Sequence, residues 1–379
     1  MNTTSIHCAV LAVAALALHA GAASAEQVVR IGFAAPLTGG SARAGKDQEN
    51  GAQLAVEEIN AKGLTIGGNK VVLQLDPQDD AGDPRTATQV AQKLVDNHAV
   101  AVVGHLNSGT SIPASKIYSD AGIVQISPSA TSPLYTQQGF KTAYRVVATD
   151  AQQGPALAKY AASAMKVKRV AVIDDTTAYG QGLADEFAKE AKALGIEVVS
   201  RDATSPNALD FRGLLTKIKG EHPDALMYGG MDFTVGPFTK QAIGLNIKAK
   251  VLSGDGVCGE DLSRVAGTAT DQIVCSEAGV GLEKMPGGEA FSKRFEQRFH
   301  NAVQIYAPYA YDAVYVIVDA MKRAGSTDPA SILAAMPKTN FDGVIGNVRF
   351  DSHGDLRDGV ISIYQYRSGK KTLVDLIKM

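Results

Sequence analysis

Two short loops rich in small hydroxyl residues are the segments best suited to hold a ligand. They are Asn-Ser-Gly-Thr at 107–110 and Ser-Pro-Ser-Ala-Thr at 127–131. Hydroxyl and backbone N–H groups donate hydrogen bonds to anionic oxygens, so these loops suit a small carboxylate. Neither loop contains a His, Cys, Asp or Glu that would act as a nucleophile or general base. The loops therefore favour binding over bond-breaking chemistry.

Two motifs associated with cofactors or catalysis are incomplete. Gly180-x-Gly182 matches half of a dinucleotide-binding motif, but Asp185 stands where the third glycine is needed. Ser163 and Lys166 match an SxxK pattern only near the end of an amphipathic helix. The sequence also has no phosphate-binding loop and no GxSxG nucleophile turn. Nothing in these motifs indicates an enzyme.

The histidines and one acidic pair are predicted to be structural. No histidine after residue 25 belongs to an HExxH motif or an i, i+4 pair; the five are His98, His105, His222, His300 and His353. His105 is expected to hydrogen-bond within the fold, and Asp79-Asp80 to be solvated or to cap a helix. We therefore expect no metal site, no cofactor and no enzymatic activity.

The two hydroxyl loops are expected to lie side by side at one edge of a sheet. Strands are predicted at 99–103 and 123–126, and Pro113 is placed in the first turn of the helix between them. A strand–helix–strand unit this short should be a right-handed parallel crossover, so both strands end at the same edge. Open α/β sheets bind ligands in the loops at that edge.

Alternation of strands and helices continues along the chain and predicts an α/β fold in two blocks. Strands are predicted at 28–34, 71–75, 99–103, 123–126, 170–173, around 198, 225–228 and 250–253. Helices are predicted at 48–61, from Pro84 with Asp83 as N-cap, at 155–166, up to 194, around 211–218, and at 291–299, 308–324 and 329–336. Two later strands, 347–350 and 360–366, are joined by the turn 352–355 and are expected to complete the two sheets.

Residues 1–25 are predicted to be a cleaved export signal. Residues 10–18 form an apolar run, and Ala23-Ser24-Ala25 is a small-x-small cleavage site. The first seven residues lack Lys and Arg, which is atypical of such leaders. A membrane anchor is the alternative, but the run is too short to span a bilayer. Cys8 precedes the apolar run, which argues against a lipid anchor at that residue.

Composition bounds the rest of the chain. Removal of 25 residues from 379 leaves 354, enough for two ordinary domains, with a net charge of −2. That charge argues against nucleic acid as a partner, because nucleic-acid binding needs a basic surface. Cys258 and Cys275 remain, and a disulfide between them would close a loop of about 17 residues. They lack the spacing of a metal-binding or redox pair.

Several segments together resemble a known family. They are, in chain order, IGFAAPLTG, NGAQLAVEEINAKG, DDAGDP, GHLNSGTSIPAS, ISPSATSP, DAQQGP, AYGQGLADEF, MYGG and GDG. Each segment is weak alone, but their order and spacing resemble the periplasmic leucine/isoleucine/valine-binding proteins of ABC importers. The resemblance covers nearly the whole chain after the leader and implies the type I periplasmic binding fold.

The resemblance implies two Rossmann-like lobes with parallel sheets, joined by a three-crossover hinge. The N-terminal lobe would comprise 26–148 plus 279–353, and the C-terminal lobe 149–278 plus 354–379. A small amino acid, most simply a branched-chain one, would bind between the closing lobes. The protein would be a periplasmic monomer that delivers its ligand to the permease subunits of an ABC transporter.

The resemblance also implies the binding residues. Ser108 matches a carboxylate-binding serine, and the loop of Ser129, Ala130 and Thr131 would contribute backbone groups and the Thr131 hydroxyl. On the facing lobe, Tyr179 matches a tyrosine that closes over the ligand. Asp255 stands where the family usually has a Glu that pairs with the ammonium group. Both acids make charge-assisted hydrogen bonds, although Asp is one methylene shorter.

Three features depart from the family pattern, and the first two concern ligand specificity. Ala44 and Met231 occupy positions that are aromatic in the family and would contact the ligand side chain. The family's first-lobe disulfide would require cysteines at Gly82 and Asn107, so that bridge is absent.

Two other functions remain as alternatives. The first is a binding protein of the same fold for an aromatic acid, an amide or another amino acid, used in uptake or sensing. The second is a periplasmic hydrolase, which would need a nucleophile–base pair that the hydroxyl loops do not offer.

Overall fold

A computed structural model describes residues 26–260 and 262–378, so the predicted signal sequence lies outside the described residues. Within these ranges the chain forms two α/β lobes, each built on a mainly parallel sheet, and the predicted fold class is confirmed. No helix in the described ranges is both long and apolar enough to cross a bilayer.

The first sheet contains six strands in the described part of the chain. They are β1 Gln27–Ala35, β2 Leu64–Ile66, β3 Asn69–Asp79, β4 Ala101–Gly104, β5 Val124–Ser127 and β6 Ala143–Arg145. Their order is β2-β3-β1-β4-β5-β6, and only β2 runs antiparallel to its neighbour. All residues of β4 and β5 are buried, as expected for strands covered by helices on both faces.

The second sheet contains seven strands, two of them from the C-terminal end. They are β7 Arg169–Asp174, β8 Glu197–Ala203, β9 Ala225–Gly229, β10 Lys250–Ser253, β11 Ile273–Glu277, β14 Val360–Arg367 and β15 Lys370–Lys378. Their order is β15-β14-β11-β10-β9-β7-β8, with β14 and β15 antiparallel. The strands β12 Phe341–Asp342 and β13 Asn347–Val348 form a separate two-stranded sheet.

Helices cover both sheets. Those of the first part of the chain are α1 Ala42–Lys62, α2 Pro84–Asp96, α3 Ser108–Asp120, α4 Leu134–Gln137, α5 Asp150–Ser163 and α6 Ala178–Ala193. The remaining helices are α7 Arg212–Gly220, α8 Asp232–Gly244, α9 Ser263–Ala266, α10 Gly288–Phe299, α11 Ala307–Ala324 and α12 Pro329–Ala335. Helix α11 packs against α1, and Gly51 permits this because a Cβ there would lie 2.1 Å from the carbonyl oxygen of Ala307.

The crossover that carries the hydroxyl loops is confirmed. Strands β4 and β5 pair in parallel, with Ala101 opposite Val124. The predicted position of Pro113 is wrong, because α3 begins at Ser108 and contains the proline in its interior. The prediction relied on the preference of proline for the first turn of a helix. Proline also occurs inside helices, where one backbone hydrogen bond is lost.

Other differences concern helix starts and short strands. Helix α1 begins six residues before the predicted Gln48, and α5 begins at Asp150, where Thr149 and Gln152 form a capping box. The run 347–350 pairs with β12 instead of completing the first sheet. The sequence interpretation did not predict β2, β6, β11, β12, β15, α4, α8 or α9.

The chain passes between the two sheets three times. The passages follow β6, follow β11 and precede β14. The third passage lies directly against the first sheet: Arg145 donates its backbone N–H to Gly354, and a Cβ at Gly354 would lie 2.2 Å from the carbonyl oxygen of Ala143. Gly354 also has φ +93°, so only glycine fits there without strain.

Cys258 and Cys275 are joined by a disulfide, with their Cα atoms 5.5 Å apart. It links the segment after β10 to the middle of β11, and both cysteines are fully buried. The pairing named from the sequence is therefore present.

Reduction of this disulfide should destabilise the protein. Closing a 17-residue loop restricts the unfolded chain and contributes about 3 kcal/mol to the free energy of unfolding. Thermal unfolding with and without reductant measures the effect. The Cys258→Ser/Cys275→Ser double variant is the control and should not respond to reductant. An unchanged melting temperature for the reduced wild type would contradict the prediction.

Candidate functional site

The hydroxyl loops lie together at the carboxyl ends of β4 and β5, as predicted. Ser108 opens α3, and its Oγ accepts the backbone N–H of Ser132 at 3.1 Å. As an acceptor in this bond, the Ser108 hydroxyl keeps its own proton available for a ligand oxygen. The Ser129 hydroxyl donates to the Leu106 carbonyl at 2.8 Å and accepts from Gln48 at 2.6 Å. The proton of the Ser129 hydroxyl is therefore not available to a ligand oxygen.

Arg145 holds the second hydroxyl loop, residues 127–131, through hydrogen bonds to the backbone within and directly after it. Its guanidinium donates to the carbonyl oxygens of Ala130 at 2.5 Å and Ser132 at 2.9 Å, and to the hydroxyl of Thr136 at 2.8 Å. It also pairs with Asp355 at 2.5 Å, and the arginine is fully buried. The loop that contains Thr131 is thus shaped around one buried cation.

Asp255 is the centre of a hydrogen-bond network on the facing lobe. Its Oδ1 accepts from Gln153 at 2.9 Å and from the Tyr179 hydroxyl at 3.1 Å, while Oδ2 accepts from the Tyr306 hydroxyl at 2.8 Å. The carboxyl group is almost completely buried. Burial raises its pKa, and the hydrogen bonds from Gln153, Tyr306 and Tyr179 oppose that rise. The network therefore fixes the position of the Asp255 side chain by donors from three separate elements.

The segments around Asp255 are tied to the same network. Gly256 donates its backbone N–H to the Tyr179 hydroxyl at 3.0 Å, which fixes the ring over the Asp255 loop. Gln153 is held in turn by Ser276, whose hydroxyl donates to Oε1 at 2.8 Å. Ser276 follows Cys275 in β11, and Cys258 lies shortly after Asp255 in the chain. The disulfide therefore links the segment of Ser276 to the segment of Asp255.

Most of the predicted site residues converge. A small cavity of about 10 Å³ is lined by Ser108, Ser129, Tyr179, Met231 and Asp255, together with Leu106, Asn107, Gly256 and Tyr306. A neighbouring cavity of about 30 Å³ brings Ala44 beside Met231 and Asp255. Ala130 and Thr131 are buried and line neither cavity.

Three polar residues near the site were missed in the sequence interpretation. They are Tyr306 and Gln153, which bond to Asp255, and Asp150, which follows Thr149 at the start of α5. Gln153 and Asp150 belong to the DAQQGP segment used for the resemblance, which was the available signal. Tyr306 lies 51 residues from Asp255 in sequence, and only the Ala307-Pro308 helix start marks its position.

Asp47 fixes the position of Tyr306. Its Oδ2 accepts backbone N–H groups from Ile305, Tyr306 and Ala307 at 2.8–3.1 Å, and its Oδ1 accepts from Gln304 at 3.0 Å. Burial raises the pKa of Asp47, and these four hydrogen bonds act against that rise. The carboxylate satisfies the free N–H groups at the start of α11, where they have no partner within the helix.

Asp150 is a second buried carboxyl group close to Asp255. Burial raises its pKa to about 8, with the negative charge of Asp255 as the next cause. Thr131, Arg145 and Gln153 lower the pKa, but less. The Thr131 hydroxyl lies near Asp150 without forming a hydrogen bond of good geometry. Asp150 therefore carries a proton at neutral pH.

His105 and the acidic pair are placed as follows. His105 is fully buried between Asp80 at 2.7 Å and the Tyr118 hydroxyl at 3.0 Å, a structural role as predicted. Asp79 accepts the backbone N–H groups of Leu37 and Ala81 and the Thr38 hydroxyl, so it joins two loops and caps no helix. The prediction for Asp80 is wrong, because the side chain has no solvent exposure and its main partner is His105. In residues 26–260 and 262–378, no three acidic, His or Cys side chains converge as a metal site would require.

These features define a two-lobed binding protein, with two hydroxyl-rich loops on one lobe and a buried acid on the other. The chain belongs to the periplasmic binding protein family, whose model matches residues 28–371. It is 34% identical to Leu/Ile/Val-binding protein homolog 1 of Brucella suis, over 95% of both chains.

Two further proteins illustrate the similarity. The leucine-, isoleucine-, valine-, threonine- and alanine-binding protein of Pseudomonas aeruginosa is 32% identical over 93% of both chains. The structure of the branched-chain amino acid transporter substrate-binding protein LivJ of Streptococcus pneumoniae, in complex with isoleucine, superposes with a TM-score of 0.85. It is 28% identical, and the match covers 93% of this chain and all of LivJ.

Replacement of Asp150 by Asn should change how stability depends on pH. An unfolded Asp loses its proton near pH 4, whereas buried Asp150 keeps it up to about pH 8. Between these values unfolding releases a proton, so wild-type stability falls as the pH rises. The stability of Asp150→Asn relative to wild type should therefore rise by about 1 kcal/mol per pH unit from pH 5 to 8.

Urea denaturation at pH 5, 6, 7 and 8 measures this difference. Asp210→Asn is the control, because exposed Asp210 is held ionised by Arg212 with a pKa of about 2. Its stability relative to wild type should not change over this range. Parallel stability curves for wild type and Asp150→Asn would show that Asp150 is ionised at neutral pH.

Proposed function

We propose that this protein binds a free α-amino acid between its lobes and delivers it to the permease of an ABC importer. The observation that carries the proposal is the buried carboxylate of Asp255, which faces the Ser108 and Ser129 loops across a shared cavity. Hydroxyl and N–H donors on one side suit the ligand carboxylate, and Asp255 on the other suits its ammonium group. A branched aliphatic side chain is the simplest occupant of the apolar surface that Met231 and Ala44 provide.

Opening and closing of the lobes would accompany binding. The cavity between the hydroxyl loops and Asp255 measures about 10 Å³, the space of a single water molecule. An amino acid therefore enters only when the lobes separate, and closure on the ligand shifts the population towards the closed form. Tyr306 bonds to Asp255 from the start of α11, whose partner α1 covers the first sheet, so this contact would break on opening.

The remaining features of the proposal concern the cellular role. The leader would be removed after Ala25, and the mature protein would act in the periplasm as a monomer.

The two lobes would comprise 26–148 plus 279–353 and 149–278 plus 354–379. The site offers binding groups and no activated nucleophile, so we propose that the ligand is released unchanged and that no cofactor takes part.

An aromatic acid or an amide bound by the same fold is the competing proposal. An aromatic acid without an ammonium group would leave Asp255 buried with no cationic partner, which is unfavourable. The shorter Asp255, Ala44 and Met231 are the residues that would accommodate a different ligand. Whether the ligand must carry an ammonium group therefore distinguishes the two proposals.

The experiment is calorimetric titration of the mature protein, refolded to remove bound ligand, with leucine, isoleucine, valine, alanine, phenylalanine and 4-methyl-2-oxopentanoate. The branched-chain amino acids should bind and the deaminated analogue should not. Asp255→Asn should weaken leucine binding by about 2–5 kcal/mol, because it removes the charge that pairs with the ammonium group.

Asp328→Asn is the matched control, because Asp328 caps α12 outside the cavities that contain Asp255 and should leave leucine affinity unchanged. Equal affinity of wild type and Asp255→Asn for leucine would overturn the proposed ammonium site. Binding of the analogue as tightly as leucine would overturn the amino-acid class.

A further inference from the structure

A second and much larger space lies between the lobes beside the Asp255 cavity. Its volume is about 530 Å³, and it shares Asn107, Tyr179 and Met231 with the Asp255 cavity. We call it the outer chamber. The shared residues make it the direct continuation of the proposed amino-acid site. The inference that follows rests on the proposed function.

One acceptor in the outer chamber has no hydrogen-bond partner within the protein. The Oδ1 atom of Asn107 is buried and receives no hydrogen bond. Gly82 faces it, and a Cβ at Gly82 would lie 3.6 Å from that oxygen. Because residue 82 has no side chain, the chamber extends up to Asn107. The φ of +68° at Gly82 favours glycine at this position. A buried acceptor without a donor costs free energy, so a donor on a ligand would be favoured there.

A buried carboxylate also lines the outer chamber. Asp175 is 1% exposed, and its Oδ1 accepts from the backbone N–H and the hydroxyl of Thr177 at 2.9 and 2.6 Å. The neighbouring Asp174 is paired with Arg201, whereas no ion pair among the described residues involves Asp175. Burial raises the pKa of Asp175, and the two hydrogen bonds from Thr177 oppose that rise. A cation on a ligand would favour the ionised form.

The rest of the lining agrees with these two residues. The chamber wall contains two Asp, two Asn and two Thr and no Lys, Arg or His. Met231, Phe233 and Pro206 add apolar surface suited to a chain of methylene groups. Such a wall accepts hydrogen bonds and repels anions. An aliphatic side chain would leave these polar groups without hydrogen-bond partners.

We propose that the outer chamber receives the ligand side chain, and that the protein binds α-amino acids whose long side chains end in N–H donors. Asn107 accepts from this end group, either a neutral amide or a cation, and Asp175 favours the cation. The α-carboxylate and ammonium groups stay at Ser108 and Asp255, so the ligand spans both cavities.

Competition calorimetry with glutamine, arginine and leucine on the wild-type protein is the primary test. Glutamine or arginine should bind at least as tightly as leucine. If leucine binds and neither polar amino acid does, the inference is overturned and the proposed function stands. If a polar amino acid binds and leucine does not, the inference stands and the branched-chain preference is overturned. If no amino acid binds, both are overturned.

Two variants assign the acceptors. Asn107→Leu should reduce the ratio of glutamine to leucine affinity about tenfold, since one hydrogen bond to a buried acceptor is lost. Asp175→Asn retains an acceptor for Thr177 and should weaken arginine about tenfold relative to glutamine. Unchanged ratios in both variants would overturn the assigned roles.

Matched controls separate these effects from misfolding. Asn301→Leu alters an exposed asparagine outside the chamber wall and should leave every ratio unchanged. If Asn107→Leu fails to fold, Asn107→Ala removes the same oxygen without added bulk and should show the same fall in the glutamine-to-leucine ratio. A ratio equal to that of wild type in Asn107→Ala would overturn the role of Asn107.

Discussion

The geometry of the binding cleft depends on the buried guanidinium of Arg145. It has no solvent exposure, and its donors are used by the loop after β5, by Thr136 in α4 and by Asp355. The Tyr135 ring lies 5.3 Å from it and completes the enclosure. A cation this deeply buried is tolerable only when every neighbour offers an acceptor, so the arginine and the loop fix each other's position.

Arg145 also lies where the two lobes are joined. It ends β6, directly before the first passage between the sheets, and Asp355 belongs to the third passage. The ion pair therefore holds two of the three connecting segments together beside the loop that contains Thr131. The proposed movement of the lobes about these segments would leave the hydroxyl loops attached to the first sheet and their donors in a fixed arrangement.

The cleft concentrates three buried carboxyl groups that are satisfied in different ways. Asp47 receives four backbone N–H groups and positions Tyr306. Asp255 receives side-chain donors from both lobes, and Asp150 is held protonated by burial and by the charge of Asp255. Because burial raises the pKa of Asp150 to about 8, this carboxyl group does not add a second charge next to Asp255 near pH 7.

The sequence predicted the elements with strong local signals. The apolar β-branched run before Gly104 became β4, and Asp83 caps α2 by accepting from the backbone N–H groups of Arg85 and Thr86. Strand β6 was missed because three residues carry no periodicity, and Asp80 was misjudged because its partner His105 lies 25 residues away. Local patterns do not encode such pairings, which arise when the sheet brings distant strand ends together.

Some residues of the candidate site could be named from the sequence, and others could be found only from the fold. Ser108, Ser129 and Asp255 were named through the resemblance and share one cavity, whereas Tyr306 came to light only with the fold. Gln153 and Asp255 are 102 residues apart, so no window of sequence contains their hydrogen bond. The outer chamber was likewise unpredictable, because its wall combines residues of both lobes between positions 40 and 233.

The hydrogen bonds to Asp255 also bear on the energetics of closure. Gln153, Tyr179 and Tyr306 give this carboxyl group three neutral hydrogen-bond donors and no cationic partner. An incoming ammonium group must compete with these neutral donors and gains only the difference between the charged and neutral interactions. Selectivity for an amino acid over its deaminated analogue then depends on that difference, while the side-chain cavity decides among amino acids that share the same ammonium and carboxylate groups.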